Sequence, residues 1–510
     1  MTIELSTITF TEQADIVPAS GVEQILNTGI ANTLAGDDLI TGTGGIYSIF
    51  NSGSLSTADG DDVIRGVRTS PKENTIFGYG IYNERGIIDT GDGNDAIAGI
   101  IQDLEIEPFL GYGIYHKTGT IYTGEGNDVI VGFISYSLDT RGYGIITESD
   151  TIIDTGDGND SLLGSGYNGG FFNGFPNDIN NSPSIINSGK GDDYIGSGAT
   201  RGDALRNYSI INTGDGNDTI DGFGRYHGIL NEGSIDTGAD DDLISGVNDD
   251  GNGVTDDANF DEPAIYNSGF INTSDGNDRI TGRGFYNDAI INGIINSGTI
   301  NTGNGKDSIT FEGIFTNIGG VFLENGDDSI IADTDFSDRA LKNFGFIGTG
   351  DGNDIINSAG IIYNEGIIET GNGDDSIIVE GGVNDDITGT TYGIYNNGGA
   401  INMGDGNDSI IANEGFESAP NSGGAWFLGE GDDYIKGYGS GDFYGGNGFD
   451  RLELTPGTYT LKKWADNTGE SVVFTKGNSL MITSEFEQLI AGGTMYNFTS
   501  LTEGQTITVV

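Results

Sequence analysis

Cysteine is absent from the 510 residues, so neither disulfides nor thiolate metal sites can hold this chain together. Basic residues are scarce, 20 Lys and Arg against 78 Asp and Glu, and the resulting charge of −58 excludes favourable contact with phosphate backbones or anionic lipid surfaces. Histidine is confined to His116 and His227, too few and too far apart to argue for a zinc site, and both read as surface residues. The segment Met1 to Gly21 has no basic stretch followed by an apolar run, and no part of the chain approaches the length of a membrane span. No segment shows a helical period bounded by caps, and no zincin His-Glu-x-x-His occurs.

Glycine, in contrast, is plentiful at 90 residues, without the strict Gly-X-Y period of collagen. Much of it belongs to one recurring phrase, Asn-x-Gly-x-Ile-x-Thr-Gly-x-Gly-Asn-Asp-x-Ile, whose clearest copies run Asn231–Ile244, Asn267–Ile280 and Asn364–Ile377. From the Thr-like position to the final Asp the offset is always 5 residues, as in Thr90 to Asp95, Ser188 to Asp193 and Leu428 to Asp433. That final residue is Asp38, Asp62, Asp95, Asp128, Asp160, Asp193, Asp218, Asp242, Asp278, Asp307, Asp328, Asp354, Asp375, Asp408 and Asp433, which makes 15 copies with a mean period of about 28 residues. Steps vary from 21 to 36 residues while the phrase stays fixed, as expected of stacked coils with one demanding corner and free connections elsewhere.

Inside the phrase, Gly233-Ser-Ile-Asp-Thr237 and Gly366-Ile-Ile-Glu-Thr370 alternate with period 2, the mark of a strand with one buried face. Asp-x-Ile past the glycines begins a second strand, and an upstream apolar element such as Tyr79-Gly-Ile-Tyr82, Tyr112-Gly-Ile-Tyr115 or Tyr392-Gly-Ile-Tyr395 adds another. The expected fold is all-β: a right-handed parallel β-solenoid, a β-roll or β-helix, of about 15 coils with a C-terminal β cap. Stacked at ~4.8 Å, such coils would form a rod of roughly 70 Å. Tyr and Asn ladders (Asn27, Asn51, Asn207, Asn231, Asn267, Asn296, Asn343, Asn364) are expected to be structural. The boundaries read as an N-terminal cap at 1–24, the array at 25–437, and tandem turns with a cap at 438–510.

A corner such as Thr90-Gly-Asp-Gly-Asn-Asp-Ala-Ile97 offers a carboxylate and several carbonyl oxygens, and calcium takes six to eight oxygens in a tolerant geometry. The pattern resembles the nonapeptide of the repeats-in-toxin (RTX) family, Gly-Gly-x-Gly-x-Asp-x-(apolar)-x. The resemblance implies that the recurring aspartates and turn carbonyls hold Ca²⁺. One corner per coil implies a single calcium column rather than two, and Leu34, Glu324 and Asp240, which replace glycines, mark degraded corners. Asp442 and Asp450 follow Asp433 at tandem spacing, with Gly445-Gly-Asn-Gly-Phe-Asp-Arg-Leu452 closest to the family pattern, and both join the expected metal ligands. The segment Glu453–Val510, with Phe486-Glu-Gln-Leu489, resembles the family's C-terminal cap, whose uncleaved end addresses chains to type I secretion.

Other features have blander readings. Asn248-x-Asp250-x-Asn252-Gly253 copies half an EF-hand loop but has Asn259 at the twelfth position, and reads as a solvated loop. Trp426 and Trp464 read as packing residues. No constellation for catalysis is evident, so the chain is expected not to be an enzyme. The function expected is a secreted, calcium-binding structural or adhesive protein of the bacterial surface or matrix, its array folding on calcium after export. The partners considered are calcium, further copies of the chain in rods or filaments, or a cell-surface polysaccharide, with no nucleic acid and no membrane insertion. The alternatives are part of a polysaccharide-acting β-helix enzyme or an ice-binding solenoid. Charge at the outward corner position, Asp92, Glu125, Asp157 and Lys190, argues against an ice face.

Overall fold

The computed structural model describes residues 2–18, 23–69, 77–102, 109–135, 140–176, 182–249, 262–286, 289–290, 292–333, 339–384, 391–418, 423–465 and 470–510. Of the acidic insert read from Asn248 to Asn259 as a solvated loop, Asn248 is instead buried in the strand Leu243–Asp249 and donates to the Glu262 carbonyl at 2.9 Å, while residues 250–259 lie outside the described residues. Two compact units are present, one of residues 1–275 with 281–289 and the other of 276–280 with 290–510.

In the first unit each coil contributes three strands, and each strand pairs in parallel with its counterparts one coil away. On the first face Tyr47–Asn51 lies beside Phe77–Asn83, which lies beside Phe109–His116. On the second, Ser54–Ser56, Ile87–Asp89 and Gly119–Tyr122 follow one another. On the third, Val63–Arg68, Ala96–Ile101 and Val129–Ile134 do so. Period-2 alternation sends one residue per strand inward, so the interior is three columns: Ile49, Ile81, Ile114; Leu55, Ile88, Ile121; Ile64, Ile97, Ile130, all at 0% exposure. Each buried Ile contributes about 2 kcal/mol, and β-branching suits the pleated surface that holds it. Thr2 to Thr7 closes one end, with Thr2–Glu4 pairing to Gln24–Asn27 and Leu5 fully buried.

The second unit repeats this plan, with Asn292–Asn296, Ile314–Asn317 and Arg339–Asn343 on one face and Ser308–Glu312, Ser329–Ala332 and Ile355–Ser358 on another. Its last coils turn antiparallel: Gly457–Ala465 pairs with Glu470–Lys476 and Thr506–Val509, and Gln488–Ala491 with Thr494–Asn497. This is the expected C-terminal β cap on a parallel β-solenoid. Among the described residues the only helical pieces are 3₁₀ turns at Leu5–Thr7 and Phe498–Ser500.

Amide ladders fix the register. Asn27 donates to Asn51 (2.8 Å), Asn51 to Asn83 (2.9 Å), Asn173 to Asn207 and Asn207 to Asn231 (2.8 Å each), all buried. In the second unit Asn317, Asn343 and Asn364 continue alike at 2.9 Å. Stacked tyrosines line the same face, Tyr47 on Tyr79 and Tyr79 on Tyr112 at 5.1 Å each. Both ladders are structural, as expected.

Three sequence readings need correction. His116 is not a surface residue: it is fully buried in the Asn column, its Nδ1 3.2 Å from the Asn83 amide and its Nε2 3.1 Å from the Ile152 carbonyl. Thr147 follows it and donates to Asn173 at 2.8 Å. His227 is buried too, its Nδ1 2.6 Å from Asp203 and its Nε2 3.1 Å from Glu262, while Arg206 also donates to Asp203. Burial is tolerable because each polar atom has a partner. Trp426 packs as expected, stacked 4.3 Å from Phe443, whereas Trp464 is 61% exposed and packs in no core.

Candidate metal corner

Thr, two glycines and Asp meet where the second face turns into the third. The turn is so tight that a Cβ on Gly158 (φ +150°) would stand 1.4 Å from the Gly126 carbonyl oxygen of the adjacent coil. Only glycine fits there. The degraded corners hold the same left-handed backbone without it, Leu34 at φ 70°, Asp240 at 84° and Glu324 at 69°. Neighbouring coils impose the conformation, and the strain is stored locally.

The predicted aspartates come together as a ladder in each unit. In the first, the Asp38 amide donates to Asp62 Oδ1 (2.7 Å), Asp62 to Asp95 (2.8 Å), Asp95 to Asp128 (2.7 Å), Asp128 to Asp160, Asp160 to Asp193, Asp193 to Asp218 and Asp218 to Asp242 (2.8 Å each). In the second, Asp278 donates to Asp307 (2.9 Å), Asp307 to Asp328 (2.7 Å), and Asp328, Asp354, Asp375 and Asp408 each to the next (2.8 Å), ending with Asp433 to Asp450 (3.0 Å). Asp15 supplies the leading amide of the first ladder, and Glu487 accepts the trailing amide of the second, from Asp450 at 2.7 Å. Neither end residue was foreseen. Asp442 stands apart: it lies in Gly441–Asn447, opposite Ala425 on another face. The 9-residue step that resembled a tandem turn is half of a 17-residue coil from Asp433 to Asp450.

These carboxylates are 0–2% exposed, and Oδ1 is satisfied by the neighbouring amide. Oδ2 is different. In Asp62, Asp95, Asp160, Asp193, Asp307, Asp354 and Asp408 it is buried without a hydrogen-bond partner. The corner Thr lies close enough to oppose the consequences, but its hydroxyl has one proton, and Thr57 and Thr90 direct theirs to the carbonyls of Thr90 and Thr123 at 3.3 and 3.4 Å. Burial is therefore the main force pushing these groups up, with adjacent ladder carboxylates adding to it: Asp62 to about 6, Asp95, Asp160 and Asp193 to about 7. Asp328, whose corner has Leu323 in place of Thr, reaches about 8.

A second ladder runs outside the first and was missed. Where an Asn or Asp precedes the ladder Asp, it accepts from the following coil: Asn94 donates its amide N–H to Asp61 (2.9 Å), Asn127 to Asn94 (3.1 Å), Asn159 to Asn127 (2.7 Å) and Asp192 to Asn159 (3.0 Å). Its direction is opposite to that of the buried ladder. Backbone and side-chain bonds from Asn94 and Asn217 hold Asp61 and Asp192 below the usual carboxylate range. The signal in sequence was the Asn-Asp or Asp-Asp pair at the corners, with Lys306-Asp307 and Phe449-Asp450 as exceptions.

Among the described residues no three His, Cys, Asp or Glu side chains converge as a ready-made cage. A cation here would draw one carboxylate from each of two coils and the rest of its shell from turn carbonyls. The buried oxygens lacking donors fit a hard, oxygen-seeking cation such as Ca²⁺. When bound, it would supply positive charge between carboxylates that otherwise repel.

No family model matches the chain, and no curated protein does; the likeness to RTX repeats rests on the corner motif itself. Among solved structures the chain is similar to a hyperactive, Ca²⁺-dependent, beta-helical antifreeze protein from an Antarctic bacterium. That likeness has 17% identity and a TM-score of 0.36, over 73% of this chain and 86% of that one.

Proposed function

We propose that this chain is a secreted calcium-binding structural or adhesive protein whose solenoid is completed by Ca²⁺ outside the cell. The observation that carries the reading is the file of buried Oδ2 atoms without donors in Asp62, Asp95, Asp128, Asp160 and Asp193 of the first unit and in Asp307, Asp354 and Asp408 of the second. Desolvated carboxylates stacked at ~4.8 Å need either protons or cations between them. Export by a type I route, with the C-terminal region as address, and a non-enzymatic role are part of the same reading. Asp92, Glu125, Asp157 and Asp215 at the outward corner position disfavour an ice-binding surface and suit contact with a cationic or hydroxyl-rich partner.

The test is a calcium titration by calorimetry on the full chain and on Asp160→Asn. Asparagine keeps the acceptor for the Asp128 amide and removes the charge. Sites with Kd on the order of 10⁻⁴ to 10⁻³ M are expected, with magnesium a poor substitute and fewer calcium ions taken up by the variant. An isotherm identical in parent and variant would sink the reading.

A further inference from the structure

The second unit has a notch beside its metal corner, at the ends of the strands that lead into the turns. It measures about 250 Å³ and is lined by Phe322, Glu324, Phe346, Asp351, Glu369 and the glycines between them. Phe322, Gly348 and Glu369 are register neighbours on successive strands. Each phenyl ring leans along its own strand over the glycine two residues away. A Cβ on Gly320 would stand 2.6 Å from the Phe322 ring and one on Gly348 2.7 Å from the Phe346 ring, so each glycine is the bed of its aromatic neighbour. The ring centroids are 5.3 Å apart with planes 32° from parallel, and Phe322 is 36% exposed.

Three carboxylates rim this platform, Glu324, Asp351 and Glu369, all exposed. Among the described residues none of them is ion-paired. Asp351 accepts only from the Asn372 amide and Glu369 from Asn402 at 3.1 Å. Glu324 occupies its place at a cost, since its φ of 69° is one that glycine would adopt freely.

A partly exposed aromatic pair edged by carboxylates is complementary to a planar, delocalised cation. Guanidinium stacks on ring faces, is weakly hydrated, and presents a fork of donors that matches carboxylate oxygens; ammonium is a compact point charge that prefers water. We infer that this notch docks an arginine side chain of a partner protein. The inference rests on the adhesive reading above and names the partner chemistry for it, and a body of charge −58 would draw a basic partner toward it.

The experiment uses the full chain in calcium, with Nα-acetyl-arginine methylamide as probe and its citrulline and lysine counterparts as controls, followed by shifts of the aromatic ring protons. Saturable shifts at millimolar arginine are expected, with both controls about 5-fold weaker or more. Phe346→Leu keeps apolar bulk and removes the π face. Glu369→Gln, on a strand outside the turn, keeps the acceptor for Asn402 and removes the charge. Each is expected to weaken arginine binding about 3- to 10-fold with the β signal intact. Equal binding of arginine and citrulline, equal binding of arginine and lysine, no saturable shift, or variants that bind like the parent would each overturn the inference. Circular dichroism of the same samples with calcium and with EGTA separates the two readings. A β signal indifferent to EGTA counts against calcium alone, and loss of arginine discrimination in a folded chain counts against this notch alone.

Discussion

Protons and calcium should be interchangeable in this fold. Burial holds a ladder Asp such as Asp160 at about 7 in the folded chain, well above its ordinary 3.8, so the stability it contributes is present in acid and is lost as pH rises through the folded value. Unscreened, full ionisation would cost about 4 kcal/mol for this one group. The corner is one chain thick and water lies just outside it, so a quarter of that, ~1 kcal/mol, is a fair discounted figure. Groups pushed up to about 6 or higher include Asp62, Asp95, Asp160, Asp193 and Asp218 in the first unit, and Asp307, Asp328, Asp375, Asp408, Asp433 and Asp450 in the second. Together they amount to roughly 5 kcal/mol per unit, comparable to the whole stability of an ordinary domain. In EGTA the far-UV β signal should therefore be lost near pH 8 and return on acidification toward pH 5, while millimolar Ca²⁺ should restore it at pH 8 and add little at pH 5. A chain equally folded at pH 8 with EGTA and with calcium would refute the reasoning, as would one that loses its β signal on mild acidification.

His116→Asn puts the standard ladder residue back into its column. Burial pulls the His116 pKa down to about 4, so its neutral form costs stability as pH falls from 6.5 toward 4, and the variant should be more stable by about 2 kcal/mol at pH 5 by urea denaturation, with little change at pH 8. Gly158→Ala places a methyl group 1.4 Å from the Gly126 oxygen and should cost at least 3 kcal/mol, read as a large fall in the calcium-dependent melting temperature.

Most of the corner was legible because its geometry tolerates no variation: a fixed offset from Thr to Asp is what a turn pressed against identical turns requires. Asp442 was misplaced because RTX-like spacing was read as two corners when the intervening residues Gly441–Asn447 form a full strand. His116 could have been read correctly, since it follows Tyr112-Gly-Ile-Tyr115 as Asn83 follows Tyr79-Gly-Ile-Tyr82. Treating histidine by its average habit hid the register. His227 carries no such signal, because Asp203 and Glu262, which hold it, come from other coils. The notch around Phe322 and Phe346 was equally invisible: its floor is made by glycines that matter only once strands from different coils lie side by side.

The two corner ladders point in opposite senses, the buried one passing its N–H groups toward later coils and the outer one toward earlier coils. A stretch of chain added or removed here can satisfy both only if it is one complete turn. Length at this seam is thus quantised, while the connections between the other faces drift freely, and such a molecule can grow or shrink by duplication or deletion of whole turns without redesign of its interior.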